Sequence, residues 1–131
     1  EVSVNLTNAE LLALSSSPKT VLAAPGANLC YQVLCASFAL DNAAGLYVGG
    51  GFVRLSYVSF SLAQLAAAAF MTADASASKL AYQAATATTN VASSTNSALL
   101  IGNATADFTG GNAANKATLK VVYRIVSTLP A

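Results

Sequence analysis

The sequence predicts an all-β fold, an antiparallel β-sandwich or jelly roll with one or two short helices. Three observations lead there. Short segments alternate apolar and polar residues, as Val2, Val4 and Leu6 do against Ser3, Asn5 and Thr7, which is the period of a strand with one buried face. Turn chemistry recurs between such segments, at Pro25 and Gly26, at Gly49, Gly50 and Gly51, and in "TGGNAANK". No long helix alternates with strand, as a parallel sheet would require.

Residues 1–7 read as an extended N-terminal arm ahead of a single β-sandwich domain over 8–131. Thr7 and Glu10 form a T-x-x-E capping box before Leu11, Leu12 and Leu14, predicting a helix of about two turns that Pro18 closes. "KTVLAA" is a strand, and Pro25–Gly26 suits a type II turn. The longest strand spans 29–40. One face carries Leu29, Tyr31, Val33 and Cys35, the other Cys30, Leu34, Ala36, Phe38 and Leu40, so it is expected at the centre of a sheet, covered on both sides. A short strand at 46–48 precedes the glycines. In the strand after them, Val53, Leu55 and Tyr57 face one way and Arg54 and Ser56 the other. Ser61 and Gln64 give a second capping box, and the alanines of "LAQLAAAAF" predict a helix there. Residues 72–98, rich in Ala, Ser, Thr and Asn, are expected as surface strands and loops. "ALLI" is a strand, as is 117–126, with Leu119, Val121, Tyr123 and Ile125 opposed to Thr118, Lys120 and Arg124. The sum is about seven or eight strands.

The chain has 131 residues, room for about one domain. Hydrophobic residues make up 55% and charged residues 8%, against roughly a quarter charged in ordinary domains. A surface built from Ser, Thr, Asn and Ala suits burial against partners. The net charge of +1 comes from six basic and five acidic residues that do not cluster, which argues against nucleic acid and anionic membranes as partners. Polar residues interrupt the apolar runs at 20–40 and 55–73 before a bilayer-spanning length is reached. "EVSVNLTNAE" lacks the basic and apolar parts of a secretory signal, so the chain is expected to be either mature as given or never exported. Cys30 and Cys35, five apart on a strand, lie on opposite faces ~16 Å apart, too far for a disulfide. Both are expected as small buried residues.

Chemistry is largely excluded. There is no histidine, which removes Ser-His and Cys-His pairs and the commonest metal ligand. Glu1, Glu10, Asp41, Asp74 and Asp107 stand alone, the last three in loops where turn chemistry is their ordinary role. Neither a calcium loop nor zinc spacing nor an S-x-x-K motif occurs. No enzyme activity, cofactor or metal is expected. The sequons at Asn5 and Asn103 arise easily in so Asn- and Thr-rich a chain. Arg54 and Arg124 read as solvated strand charges or as contacts to a neighbouring subunit's carboxylate or carbonyl. The triple glycine is no phosphate loop, since Phe52, Val53 and Arg54 follow it with no Lys-Ser pair. It is either a turn needing positive φ or a place where another backbone approaches closely.

"LTNAELLALSSSPKTVLAAPGANLCYQVLCASFAL", "YVGGGFVRLSY" and "GGNAANKATLKVVYRIV" resemble a family of small virion proteins of tailed bacteriophages. Its pattern runs loosely L-T-x-A-x-[IL]-x-x-L-x-[ST]-[ST]-P, then [LV]-x-A-P-G, a Tyr- and Gly-rich strand pair, and a closing G…[LV]-x-V-x-Y-[RK]-[IV]-[IV]. The members most similar are capsid cement or decoration proteins, among them those of phages infecting cyanobacteria. The likeness covers most of the chain and weakens between 60 and 97. It implies a homotrimer on the outer surface of an icosahedral head, assembled in the host cytoplasm and bridging major capsid protein subunits, with no catalytic residues. Candidate capsid or subunit interface residues are Val2, Val4 and Leu6 as a docking arm, with Gly49, Gly50, Gly51, Arg54 and Arg124. The alternative is a head-fibre or tail module binding a host surface glycan. Against it, Tyr31, Tyr47, Tyr57 and Tyr123 fall mid-strand on core faces, Tyr82 excepted.

Overall fold

Strands that can bury only one face need a second sheet to bury it against, and this chain supplies two. The computed structural model describes residues 1–42, 44–58, 60–73, 79–84 and 94–129, with 60 and 79–84 as backbone alone. In chain order its strands are β1 (Val2–Thr7), β2 (Lys19–Leu22), β3 (Leu29–Asp41), β4 (Tyr47–Gly49), β5 (Val53–Tyr57), β6 (Phe60–Ala66), β7 (Lys79–Ala84), β8 (Leu99–Asn103), β9 (Phe108–Gly110) and β10 (Lys116–Ser127). One sheet runs β1-β10-β3-β7, the facing sheet β2-β8-β5-β6, and β4 with β9 forms a small ribbon. Every pairing is antiparallel. The fold is the all-β antiparallel sandwich expected from the sequence. The strands beyond the expected number come from β9, which lay inside a presumed loop, and from β6, which lay inside a presumed helix. Leu6, Phe38, Leu40, Leu119 and Val121 from the first sheet meet Val53, Leu55, Tyr57, Leu99 and Ile101 from the second in one buried cluster.

The β3–β10 ladder carries the first sheet. Its register slips once, between Val122↔Cys35 and Tyr123↔Val33, so Leu34 is an extra residue in β3. Such a bulge reverses the in-and-out phase of its strand. Tyr31 and Val33 therefore pack toward the core before Leu34, and Ala36, Phe38 and Leu40 after it. This corrects the expectation of a strand covered on both sides: the apolar residues on the two apparent faces belong to one face with a phase change. Gln32, Leu34 and Cys35 are exposed outside it. Cys35 is thus not the buried residue expected, while Cys30 is, and both are free thiols. Ile125 keeps its place in the β10 alternation but is 53% exposed.

The segment expected as an arm is the edge strand β1. All six of its residues pair with β10, from Val2↔Val121 to Thr7↔Lys116. Leu6 is buried and Val2 and Val4 pack half-buried against the core, since alternation that suits a docking arm suits an edge strand equally well. The short helix α1 (Asn8–Leu12) follows under the expected capping box: the Thr7 amide donates to Glu10 Oε2 at 2.8 Å and the Glu10 amide to Thr7 Oγ1 at 3.4 Å. It makes little more than one turn and drives Leu11 into the core. Lys19 Nζ donates to Glu10 Oε1 at 2.5 Å and to the Asn5 carbonyl at 2.8 Å. Alternate residues of an antiparallel strand aim their backbone groups to the same side, so Asn5 and Thr7 are engaged along the outer edge of β1. Only the stretch around Ser3 offers backbone to an added strand, and the lysine acts as an edge guard.

Ser61 does not cap a helix. It lies opposite Ser56 in the β5–β6 hairpin, whose ladder also pairs Arg54 with Gln64 and Val53 with Ala66. Pairing this segment beside β5 buries Leu65 and Ala66, and that burial outweighs an alanine helix preference worth at most about 0.7 kcal/mol per residue. The helix begins later, as α2 (Ala68–Thr72), with Ala67 as an N-cap that makes no side-chain bond.

Glu10 titrates at about 2 rather than 4.5, chiefly because the Lys19 ammonium and then the Thr7 amide bind its ionised form. A folded-state value depressed in this way adds stability that is complete above the unfolded value and is lost as pH falls toward about 2. Side-chain exposures of 30% and 38% screen the pair, so the effect is modest. Glu10→Gln is expected to lower Tm by a few degrees at neutral pH, with the gap to the parent closing as pH falls from 4.5 to about 2. Circular-dichroism melts across that range check it; a gap independent of pH contradicts it.

Candidate functional site

The sequence-nominated residues do not converge on one site. Val2, Val4 and Leu6 line the inner face of β1. Gly49, Gly50 and Gly51 sit where β4 leads toward β5, at the ribbon end of the sandwich. Arg54 and Arg124 point outward from opposite sheets, since their strand neighbours Val53, Leu55 and Tyr57, and Leu119 and Val121, hold the inner faces.

Both structural readings of the glycines apply, within a single chain. Gly49 and Gly50 each have φ +68°, a left-handed conformation that glycine adopts without strain. A Cβ on Gly50 would stand 2.4 Å from the Phe108 ring and 2.9 Å from Asn103 Nδ2, and one on Gly51 would stand 2.4 Å from Thr105 Oγ1. A Cβ on Gly49 meets nothing within 4 Å. The close approach at Gly50 and Gly51 therefore comes from the protein's own β8–β9 segment, and Gly49 is the position left open to a neighbour. Beside it Val48 is 60% exposed.

The two arginines differ sharply. Arg124 Nε donates to Gln32 Oε1 across the β3–β10 ladder and is exposed. Arg54 Nε is enclosed without a hydrogen-bond partner. A groove of about 260 Å³ lies over it, lined by Arg54, Ser56, Tyr57, Ser61, Pro18, Val58 and Leu100.

Other polar groups are engaged in holding the fold. Asp107 accepts from the amides of Ser15 at 2.8 Å and Ser16 at 2.9 Å, so it fixes a turn in a distant segment rather than in its own loop as expected. Asp74 lies outside the described residues, as does the Tyr82 side chain. Tyr47 Oη donates to Asn8 Oδ1 at 2.9 Å, Tyr31 Oη to the Ala23 carbonyl at 2.6 Å, and Tyr57 Oη to the Tyr31 carbonyl. Burial pushes the Tyr57 phenol up to about 12. Tyr123 packs edge-on against Tyr31, with ring centroids 5.2 Å apart. Sequence reasoning missed the buried asparagines. Asn42 Nδ2 donates to the Met71 carbonyl at 3.2 Å and Asn115 Nδ2 to the Gly45 carbonyl at 2.7 Å. Asn103, the second sequon's asparagine, is 4% exposed and accepts from the Thr105 amide, so the folded chain withholds it from modification.

Exposed apolar side chains gather toward the end of the sandwich opposite the ribbon. Val58 is 73% exposed, Leu129 60% and Ile125 53%. Backbone and side-chain bonds tie their segments together there: the Val58 amide to Ser97 Oγ, Asn96 to the Leu29 carbonyl, and Thr128 to the Asn28 carbonyl. Among the described residues no three His, Cys, Asp or Glu side chains gather where they could hold a metal ion, and no helix is long and apolar enough to cross a membrane. No protein-family model, curated protein or solved structure matches the chain.

Gly49 and Gly50 share one φ but not one environment, so alanine at each separates conformation from packing. Gly49→Ala is expected to cost about 1–2 kcal/mol in urea unfolding, and Gly50→Ala distinctly more. Equal costs would mean that Phe108 and Asn103 yield without penalty.

Proposed function

We propose that the chain is a virion structural protein, a capsid cement or decoration protein that binds as a homotrimer on the outside of an icosahedral phage head and bridges major capsid protein subunits. The observation that carries this reading is the surface. With 8% charged residues, the sandwich leaves Val58, Ile125 and Leu129 exposed toward one end and Val48 at the other. Apolar side chains exposed at both ends suit a protein that touches different neighbours at each end. The resemblance of "LTNAELLALSSSP" and "KATLKVVYRIV" to phage decoration proteins points the same way.

Docking through the side chains of Val2, Val4 and Leu6 no longer enters the proposal, because their own core holds them. The ends of the sandwich take that role. Cement action follows from multivalency: a trimer engaging several subunits at once turns modest contacts into avidity that resists pressure from packaged DNA. The glycan-binding alternative draws less support. Such sites use exposed aromatic rings beside polar loops, whereas Tyr31, Tyr47 and Tyr57 are buried.

Quantitative mass spectrometry of purified particles tests the reading. Decoration predicts on the order of hundreds of copies per icosahedral particle, and light scattering of the isolated protein predicts a trimer. A few dozen copies or fewer would instead indicate a fibre or tail component.

A further inference from the structure

Arg54 is the described residue whose chemistry the fold leaves least engaged. It stands in β5, an interior strand of its sheet, opposite Gly102 on β8 and Gln64 on β6. Its side chain leaves on the outer face because Val53 and Leu55 on either side are fully buried. Its Nε is enclosed yet has no acceptor, a state that native chains rarely tolerate without a purpose. The same molecule supplies the contrast: Arg124 Nε is satisfied by Gln32 and Lys19 Nζ by Glu10 and Asn5. None of the described carboxylates lines the groove over Arg54.

That groove has the makings of a receptor for one small anionic group. Ser56 and Ser61, paired across the hairpin, bring hydroxyls to it, and Pro18, Val58 and Leu100 give it apolar walls. We propose that it binds a carboxylate, held by Arg54 through its two terminal nitrogens, with the two serine hydroxyls as further donors. Three features select this ligand. The end-on edge of a guanidinium presents two parallel N–H donors that match the two oxygens of a planar carboxylate. One positive charge balances a monoanion, but leaves a phosphate, at about −1.5 to −2, only partly compensated. A groove of about 260 Å³ with apolar walls accommodates the methylene groups of an acidic side chain or a short aliphatic acid. In the decoration reading the carboxylate would belong to an acidic side chain of a neighbouring subunit. The binding chemistry does not rest on that reading, and a test on the isolated chain lets the two fail separately.

The test titrates sodium acetate into the full-length ¹⁵N-labelled protein at constant ionic strength, following arginine Nε–Hε and backbone amide resonances, with inorganic phosphate as a parallel arm. A saturable shift at Arg54 Nε–Hε, next to the bound terminal nitrogens, and at the amides of Ser56 and Ser61 is expected, with no response at Arg124. Arg54→Lys, which keeps the charge and loses the fork, is expected to weaken acetate binding at least tenfold. Arg54→Met is expected to abolish binding while leaving Tm unchanged or raised, since it removes an enclosed N–H that nothing satisfies. An unsaturable drift shared with Arg124 would overturn the proposal, as would tighter binding of phosphate than of acetate. So would full acetate binding by Arg54→Lys, or a Tm lowered by more than a few degrees in Arg54→Met, which would make the arginine a structural residue.

Discussion

The antiparallel ladder between β3 and β10 is the constraint on which the rest of the structure depends. It joins residues 29–41 to 116–127 through twelve pairs and a single bulge. Everything in the first sheet is added to its two sides, β1 beyond β10 and β7 beyond β3. Phe38 faces Leu119 across it, both fully buried, and truncating such residues to alanine typically costs about 2–5 kcal/mol. The facing sheet closes on this pair through Leu55 and Ile101. Pairing between segments so far apart in sequence makes loop closure a large part of the folding barrier. Local devices therefore matter, and the capping box at Thr7 and Glu10 sets the chain's direction where β1 ends.

The ladder also decides what remains for function. Once it places β1 at a sheet edge, Val2, Val4 and Leu6 belong to the core, and the Glu10–Lys19 pair blocks much of that edge. Tyr31, Tyr47 and Tyr57 bond backbone or side-chain groups of the same chain, and Asp107 fixes the turn at Ser15 and Ser16. The polar chemistry of the molecule is mostly turned inward. Among the described residues, what faces outward is largely small and uncharged, with Lys116, Lys120 and Arg124 exposed and apolar side chains at the ends. That surface underlies the proposal of a structural role in a particle.

Much of the architecture was legible in the sequence because its signals are local. The alternation at 117–126 and the capping box at Thr7 act through neighbouring residues, and each led to the right kind of element, whereas the turn expected at Pro25 and Gly26 falls at Ala27 and Asn28, closed by the Leu29 amide on the Gly26 carbonyl. What escaped depends on distant partners. An arm and an edge strand have the same alternation, and only the presence of β10 beside Val2 decides between them. The bulge at Leu34 is invisible without its partner strand, so in the sequence one inner face reads as two apolar faces. Ser61 and Gln64 carry a helix signature that pairing with Ser56 and Arg54 overrides. The site residues show the same limit. Arg54 and Arg124 occupy identical places in the strand period, yet one bonds Gln32 and the other lines an open groove with its Nε enclosed and without an acceptor. The buried asparagines carry no signal at all, because asparagine in a loop ordinarily marks a turn.

Native-state hydrogen exchange, resolved by residue, tests most directly the claim that the β3–β10 ladder carries the sandwich and has drawn β1 into it. The account predicts the slowest exchange at Phe38, Leu40, Leu119 and Val121, with the amides of Val2, Val4 and Leu6 well protected because they face β10. Exchange of Val2, Val4 and Leu6 at the rate of an unstructured peptide, or protection concentrated in β5 and β8 instead, would contradict it.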